Sequence, residues 1–142
     1  MTNDYDSNIE ENYHAKHPYL IRCTDYLPMP FKGNDGMLFF AKADFYHPTE
    51  DYYIELKDHP LNVVKTKSDS DRRMAAIPKH VKITNYHYLA HGFNHSLYKQ
   101  KIVQSTLADN GIKLLLVFTK PIPPRKVTEM NKHGLEYVIA WF

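Results

Sequence analysis

The sequence has few of the residues that build disulfide frameworks, structural zinc sites or membrane spans. Its 142 residues include one cysteine, Cys23, so an intrachain disulfide and a cysteine-rich zinc site are excluded. No apolar run approaches the roughly 20 residues that a membrane-spanning helix needs. The first twenty residues contain Asp4, Asp6, Glu10 and Glu11 rather than an apolar block, which argues against a signal peptide. We therefore expect a cytoplasmic protein with no membrane partner.

Short motifs for common cofactors and catalytic nucleophiles are also missing. The chain contains no G-x-G-x-x-G, no P-loop, no H-E-x-x-H and no G-x-S-x-G. Cys23 lies in an unremarkable context between Arg22 and Thr24, where a plain buried thiol is expected. These patterns predict neither a cofactor nor a metal.

Three histidines, His87, His91 and His95, recur at intervals of four residues. On a helix this spacing would stack three imidazoles on one face, as in a zinc site. The aromatic context around His87 favours a strand instead, and Gly92 would interrupt a helix. In a strand the same spacing spreads the three side chains over roughly 25 Å, which is too far for one metal.

The composition is that of a folded, single-domain protein. Apolar residues make up 43% of the chain and aromatic residues 13%, which is too rich for a disordered polymer. The length fits one domain with its own core. We assign residues 18–142 to that domain and residues 1–17 to a flexible N-terminal arm, with a short helix over Ile9–Ala15 as the alternative.

The clearest structural pattern lies near the C-terminus. Leu114–Phe118 has five apolar residues without a polar break, as in a strand covered on both faces in the middle of a sheet. Pro124 can start a helix, and the apolar residues after it recur at helical spacing. The sequence thus predicts an α+β fold in which a central strand, Ile112–Thr119, leads into an amphipathic helix over Pro124–Phe142.

Further strands are predicted earlier in the chain. They are Met37–Tyr46, Tyr52–Leu56, Leu61–Lys65 and Val81–Ala90. In the last of these, alternation places His87 on the same face as Val81 and Leu89. Residues 94–110 fit a helix or a strand, and β-branched residues with a turn signal at Asp109–Gly111 favour a strand.

Positive charge is concentrated between Lys65 and Lys82. This segment has six Lys and Arg residues against two Asp residues, a net charge of +4, whereas the whole chain carries +2. It is either a solvated loop or a loop that faces phosphates. The candidate RNA-binding residues are Arg72, Arg73, Lys79 and Lys82.

The remaining His, Lys and Arg residues, without an obvious carboxylate pair, fit RNA cleavage that needs no metal. Such cleavage requires a base for the 2′-hydroxyl proton, cations for the phosphorane charge and an acid for the leaving oxygen. His87 is the candidate base or acid, and Lys120, Arg125 and Lys126 would stabilise the phosphate. The alternative is that the cations are ordinary surface residues and that His87 is a core histidine bonded to a tyrosine.

Several short segments together resemble one protein family. They are Leu27–Asp35, Thr84–Gly92, Leu114–Pro123 and Ala140–Phe142, together with Asn131. They fall in the order seen in YafO-type toxins of bacterial type II toxin–antitoxin systems, which are similar to RelE-like ribosome-dependent mRNA interferases. The resemblance covers about residues 20–142.

The resemblance implies a RelE/ParE-like fold, a small antiparallel sheet with helices packed on it. It also implies cleavage of mRNA on the translating ribosome and a cognate antitoxin as partner. His87, Lys120 and Asn131 match the family pattern. The chain departs from that pattern near the last helix, where Pro124-Arg125 replaces a His–Lys pair and Thr128–Asn131 replaces Arg-Asp-Asn.

A non-catalytic protein-binding inhibitor is the rival hypothesis. A phage anti-defence protein or a toxin-immunity protein would have a host defence protein or a toxin as its partner. Small size and 11 tyrosines, which make good contact anchors, fit this class. An inhibitor that imitates nucleic acid should be acidic, and this chain is not.

Overall fold

A computed structural model describes residues 8–140. Its strands are β1 (Ile21–Arg22), β2 (Phe31–Lys32), β3 (Leu38–Phe39), β4 (Phe45–His47), β5 (Tyr52–Lys57), β6 (Leu114–Phe118) and β7 (Tyr137–Ile139). Its helices are α1 (Asn8–Lys16), α2 (Lys67–Ala75), α3 (Asn85–His91), α4 (Leu97–Asp109) and α5 (Pro124–Lys132), with a 3-10 turn at Phe93–His95. Helix α1 occupies part of the predicted N-terminal arm, residues 1–17. Residues 1–7 of that arm lie outside the described residues. No helix within residues 8–140 is long and apolar enough to cross a membrane.

The protein has an α+β fold with a five-stranded mixed sheet in the order β1-β4-β5-β6-β7. Strands β1, β4 and β5 pair antiparallel, whereas β6 pairs parallel with both β5 and β7. The prediction of an antiparallel sheet is therefore wrong. The chain between β5 and β6 includes three helices, which gives it the length that a parallel crossover needs. Strands β2 and β3 form a separate antiparallel pair.

Strand β6 lies inside the sheet and is buried on both faces, as its apolar run predicts. Leu114, Leu116 and Phe118 share one core with residues of α4 and α5. Val117 points to the opposite face and packs in a second core that includes Tyr13 of α1. Helices thus cover both faces of the sheet.

The predicted C-terminal helix over Pro124–Phe142 is wrong beyond Lys132. Gly134 has φ of 69°, a left-handed conformation that ends a helix and that glycine adopts without strain. Its N–H donates to the carbonyl of Asn131, and the N–H of Leu135 donates to the carbonyl of Met130. The chain then enters β7, whose Val138 pairs with Val117. Trp141 and Phe142 lie outside the described residues.

The predicted strand over Val81–Ala90 is also wrong, because residues Asn85–His91 form α3. Thr84 has an extended backbone and stands at the N-cap of this helix, a position that threonine favours. None of the residues of α3 is fully buried. Val81 and Ile83, which would have faced a core, are 36% and 45% exposed.

Residues 94–110 contain helix α4 rather than the favoured strand. Ser96 caps the helix, since its Oγ accepts a hydrogen bond from the Tyr98 N–H. The buried residues Leu97, Gln100, Val103 and Leu107 recur at helical spacing. Gly111, with φ of 72°, belongs to the end of this helix and not to a hairpin turn. Of the other predicted strands, Met37–Tyr46 is split between β3 and β4, and Leu61–Lys65 makes a single bridge at Asn62.

Candidate functional site

The histidine predicted to be catalytic lies on α3 and not on a strand of the sheet. His87 is partly buried, and its Nδ1 accepts a hydrogen bond of 2.9 Å from the Thr84 N–H at the helix N-terminus. Lys120 is exposed after β6, and Arg125 is exposed on α5. Lys126 Nζ donates to the carbonyl of Leu61 at 3.2 Å. Within residues 8–140, no hydrogen bond or ion pair joins His87 to any of these three cations.

The positively charged segment is not the single loop that its composition indicated. Helix α2 occupies its first half, and both Arg72 and Arg73 pair with the carboxylate of Asp69. Lys79 and Lys82 follow in the connection to α3, where they are exposed. These two lysines form no ion pair with the described part of the chain. They are therefore better placed than the arginines to contact a phosphate.

The three regularly spaced histidines do not form a metal site. His87 and His91 lie on α3, and His95 lies in the 3-10 turn that follows. Across residues 8–140, no group of three or more His, Cys, Asp and Glu side chains is arranged to hold a metal ion by itself.

A pair of carboxylates lies instead across two neighbouring strands. Phe45 of β4 is paired with Ile54 of β5, so the preceding residue, Asp44, lies opposite Glu55. The Asp44 N–H donates to the Ile54 carbonyl at 2.9 Å, and Asp44 Oδ2 accepts from the Leu56 N–H at 2.6 Å. Glu10 of α1 hydrogen-bonds to the Asp44 carboxyl. These three residues, Glu10, Asp44 and Glu55, are called the carboxylate cluster below.

Two lysines complete the surroundings of this cluster. Lys57, on the same face of β5 as Glu55, has its Nζ 3.6 Å from Glu55 Oε1. Its Nζ also donates to the Asn94 carbonyl at 3.3 Å, and Lys99 Nζ donates to Asn94 Oδ1 at 3.0 Å. Asn94 therefore ties β5 to α4 through two ammonium groups.

Burial controls the electrostatics of the cluster. It raises the pKa of Asp44 to about 9, and the neighbouring Glu55 charge and the bond to Glu10 act in the same direction. Burial also raises the pKa of Glu55, against the opposing effect of Lys57 and Lys99. Burial lowers the pKa of Lys99 to about 8, although Glu55 acts to raise it. The Asp44 carboxyl therefore holds a proton at neutral pH that a bound cation would displace.

The cluster opens into a pocket of about 430 Å³, which Asn85 and His95 also line. A second pocket, of about 520 Å³, lies between β3, α2 and α3 and shares the same two residues. Burial, with help from Lys57, lowers the pKa of His95 to about 4, so its imidazole is neutral at physiological pH. Asn85 and His95 thus form part of the wall of both pockets, which are neighbours in the structure.

Sequence inspection did not find this site, although a signal was present. Strand β5 reads Tyr-Tyr-Ile-Glu-Leu-Lys, in which Glu55 and Lys57 alternate with buried Ile54 and Leu56. Two charges on one face of a strand whose other face is apolar were the available signal, although a strand with one solvated face shows the same pattern. Asp44 could not be added from sequence alone, because its position opposite Glu55 depends on the register of β4.

Comparison with known proteins gives no relative for this chain: no family model matches it, and neither the curated proteins nor the solved structures contain a match.

Proposed function

We propose that this protein is a nuclease that hydrolyses phosphodiester bonds at a divalent metal held by Asp44 and Glu55. The observation that carries the proposal is the pairing of these two carboxylates across adjacent strands, at an open pocket and beside Lys57. Ionising two carboxyls that converge at a buried site is costly, and a metal ion offsets that cost.

Magnesium is the metal that best fits this ligand set. Mg²⁺ is bound by oxygen atoms, commonly one or two carboxylates, and takes its other ligands from water and substrate phosphates. The carboxylate pair then needs no third protein side chain, because water and substrate phosphates would fill the other positions. Glu10 would orient Asp44 through their shared hydrogen bond.

The reaction is the hydrolysis of a phosphodiester. A water oxygen forms a bond to phosphorus, the bond from phosphorus to one sugar oxygen breaks, and that sugar oxygen leaves with a proton. When bound, the metal neutralises phosphate charge and lowers the pKa of a coordinated water. The ammonium group of Lys57 is held next to Glu55, where it would stabilise the negative charge that develops on the phosphoryl oxygens.

This proposal keeps the predicted class, cleavage of nucleic acid, and replaces the metal-independent chemistry expected of His87. Cleavage of mRNA on the ribosome and control by an antitoxin stay predictions of the resemblance to YafO-type toxins. Inhibition of a host defence protein or a toxin stays the non-catalytic alternative.

The test is cleavage of labelled RNA, single-stranded DNA and duplex DNA by the purified protein in Mg²⁺ or in EDTA. Wild type is compared with Asp44→Asn, which keeps the shape of the side chain, and with His87→Ala. We expect cleavage in Mg²⁺, none in EDTA, and a loss of about 10²-fold or more in Asp44→Asn, the usual cost of one preorganised electrostatic group. His87→Ala should cleave like wild type.

Two outcomes would contradict the proposal. Cleavage that persists in EDTA and disappears in His87→Ala would indicate metal-independent cleavage by His87 on α3. Absence of cleavage by the wild type on all three substrates and on translating ribosomes would favour the protein-binding alternative.

A further inference from the structure

The pocket between β3, α2 and α3, called the aromatic pocket below, contains two aromatic side chains that a core would normally bury. Phe40 is 62% exposed and Tyr88 is 50% exposed, and both line the pocket. Its volume, about 520 Å³, lies in the range of roughly 300–1,000 Å³ typical of ligand pockets. Exposed aromatic residues gathered in a concave site indicate a ligand with an apolar face.

Polar groups line the same pocket. Lys67 and Asp71 of α2 form an exposed ion pair of 3.5 Å, and the amides of Asn85 and Asn94 lie on the other side. Amides, an ammonium group and a carboxylate provide hydrogen-bond donors and acceptors for the polar edge of a planar ligand. Aromatic faces together with such groups are the means by which proteins bind an unstacked nucleobase.

The aromatic pocket is joined to the carboxylate cluster through the 3-10 turn. Asn94, which lines the aromatic pocket, accepts hydrogen bonds from Lys57 and from Lys99. His95 lines both pockets. A nucleotide in the aromatic pocket would therefore contact residues whose neighbours in the structure belong to the carboxylate cluster or bond to Lys57.

Aromatic surface continues outward from the pocket. The ring of Tyr26, which is 61% exposed, lies 5.7 Å from the ring of Phe40. Lys42 Nζ lies 4.8 Å from the centroid of the Tyr26 ring. Alternating aromatic rings and cations are typical of surfaces that bind single-stranded nucleic acid, because bases stack on the rings and phosphates contact the cations.

We propose that the aromatic pocket binds an unpaired nucleotide of the substrate, stacked on Phe40 and Tyr88. This proposal rests on the proposed nuclease function. The substrate of that nuclease would be single-stranded or locally unpaired nucleic acid. A base inside a duplex is already stacked and cannot offer its face to these rings.

The test is the binding of a fluorescein-labelled single-stranded oligonucleotide and of a blunt duplex, measured by anisotropy in EDTA so that no cleavage intervenes. The variants are Phe40→Ala and Tyr88→Ala, both at exposed positions where little stability is lost. Tyr86→Ala is the matched control, since Tyr86 lies on the same helix, is 72% exposed and does not line the pocket. Stacking energies predict about 5- to 150-fold weaker binding of the single strand by each pocket variant. Tyr86→Ala should bind like wild type, and the duplex should bind equally to all four proteins.

Equal binding of the single strand by wild type and both pocket variants would overturn the inference. Equal losses of affinity for the single strand and the duplex would also overturn it, and so would a wild type that does not bind the single strand. Cleavage assays separate this result from the nuclease proposal. Mg²⁺-dependent cleavage with an unchanged KM in Phe40→Ala would support the nuclease function and contradict nucleotide binding in the aromatic pocket. Binding that is weakened in the pocket variants, without cleavage by the wild type, would support the aromatic pocket as a binding site and contradict the nuclease function.

Discussion

At the scale of single residues, the surroundings of Asp44 in the carboxylate cluster make ionisation of its carboxyl costly for the stability of the fold. Asp44 is held among Glu10, Glu55 and the Leu56 N–H, in surroundings that disfavour its charged form. Ionising a carboxyl in such surroundings costs free energy, so Asp44 holds a proton at neutral pH. We propose that the binding of a cation, which displaces this proton, is the function of the cluster.

The raised pKa of Asp44 predicts how stability changes with pH. Its carboxyl holds a proton in the folded protein up to about pH 9, whereas an unfolded aspartate, with its ordinary pKa of 3.8, loses the proton near that pH. The folded state thus holds more protons over this window, so the free energy of unfolding should fall as pH rises from about 5 to 9. Asp44→Asn removes the titrating group and should flatten this dependence, with a higher melting temperature than wild type at pH 8.

Thermal melts in EDTA between pH 5 and 9 measure this effect. Asp109→Asn, at the exposed end of α4, is the matched carboxylate control and should keep the wild-type profile. An Asp44→Asn protein that melts below wild type at pH 8 would show that Asp44 serves stability and not a binding function.

At the scale of secondary-structure elements, β6 is the part of the core that the sequence predicted best. Leu116 is fully buried between α4 and the sheet interior. Leu116→Ala should lower the free energy of unfolding by about 2–5 kcal/mol, the usual cost of truncating a buried leucine. Chemical denaturation measures the change, and Val138→Ala on the edge strand β7, where Val138 is 44% exposed, is the control. A loss below about 1 kcal/mol would mean that β6 is not central to the core.

The wrong predictions have one physical cause: the local sequence pattern does not determine the secondary structure of these segments. Helix α3 buries none of its residues fully, so it has no apolar stripe to distinguish it from a strand. Helix α4 contains β-branched residues, and its tertiary packing outweighs their strand propensity. The apolar periodicity after Pro124 continues past Gly134, whose left-handed backbone turns the chain from α5 into β7. The carboxylate pair depends on strand register, which no local pattern reveals.

At the scale of the whole molecule, the carboxylates and the cations occupy different regions. The carboxylate cluster lies at the sheet, and the positive segment lies on α2 and the connection to α3, where Lys67 lines the aromatic pocket. A nucleic acid chain could contact the cations with its phosphates while one phosphodiester reaches the cluster.

This arrangement predicts which cations carry the salt dependence of binding. Replacing Lys79 and Lys82 together with Ala should reduce the slope of log affinity against log salt by about 0.7 for each lost phosphate contact with a single strand. The double change of Arg72 and Arg73 to Ala should alter the slope less, because both guanidinium groups already pair with Asp69. Anisotropy titrations at several salt concentrations measure the slopes, with Lys132→Ala on α5 as the control. A wild-type slope in the Lys79 and Lys82 variant would make these lysines ordinary solvated residues.

The central claim is that Asp44 and Glu55 together bind a divalent metal, and the most direct measurement is a calorimetric titration of Mg²⁺ at pH 7. It is made on wild type, Asp44→Asn and Glu55→Gln, in two buffers of different ionisation enthalpy so that released protons are counted. We predict one Mg²⁺ site in the wild type, proton release on binding because Asp44 must lose its proton, and no such site in either variant. Binding of equal affinity in all three proteins, or no binding by the wild type, would contradict it.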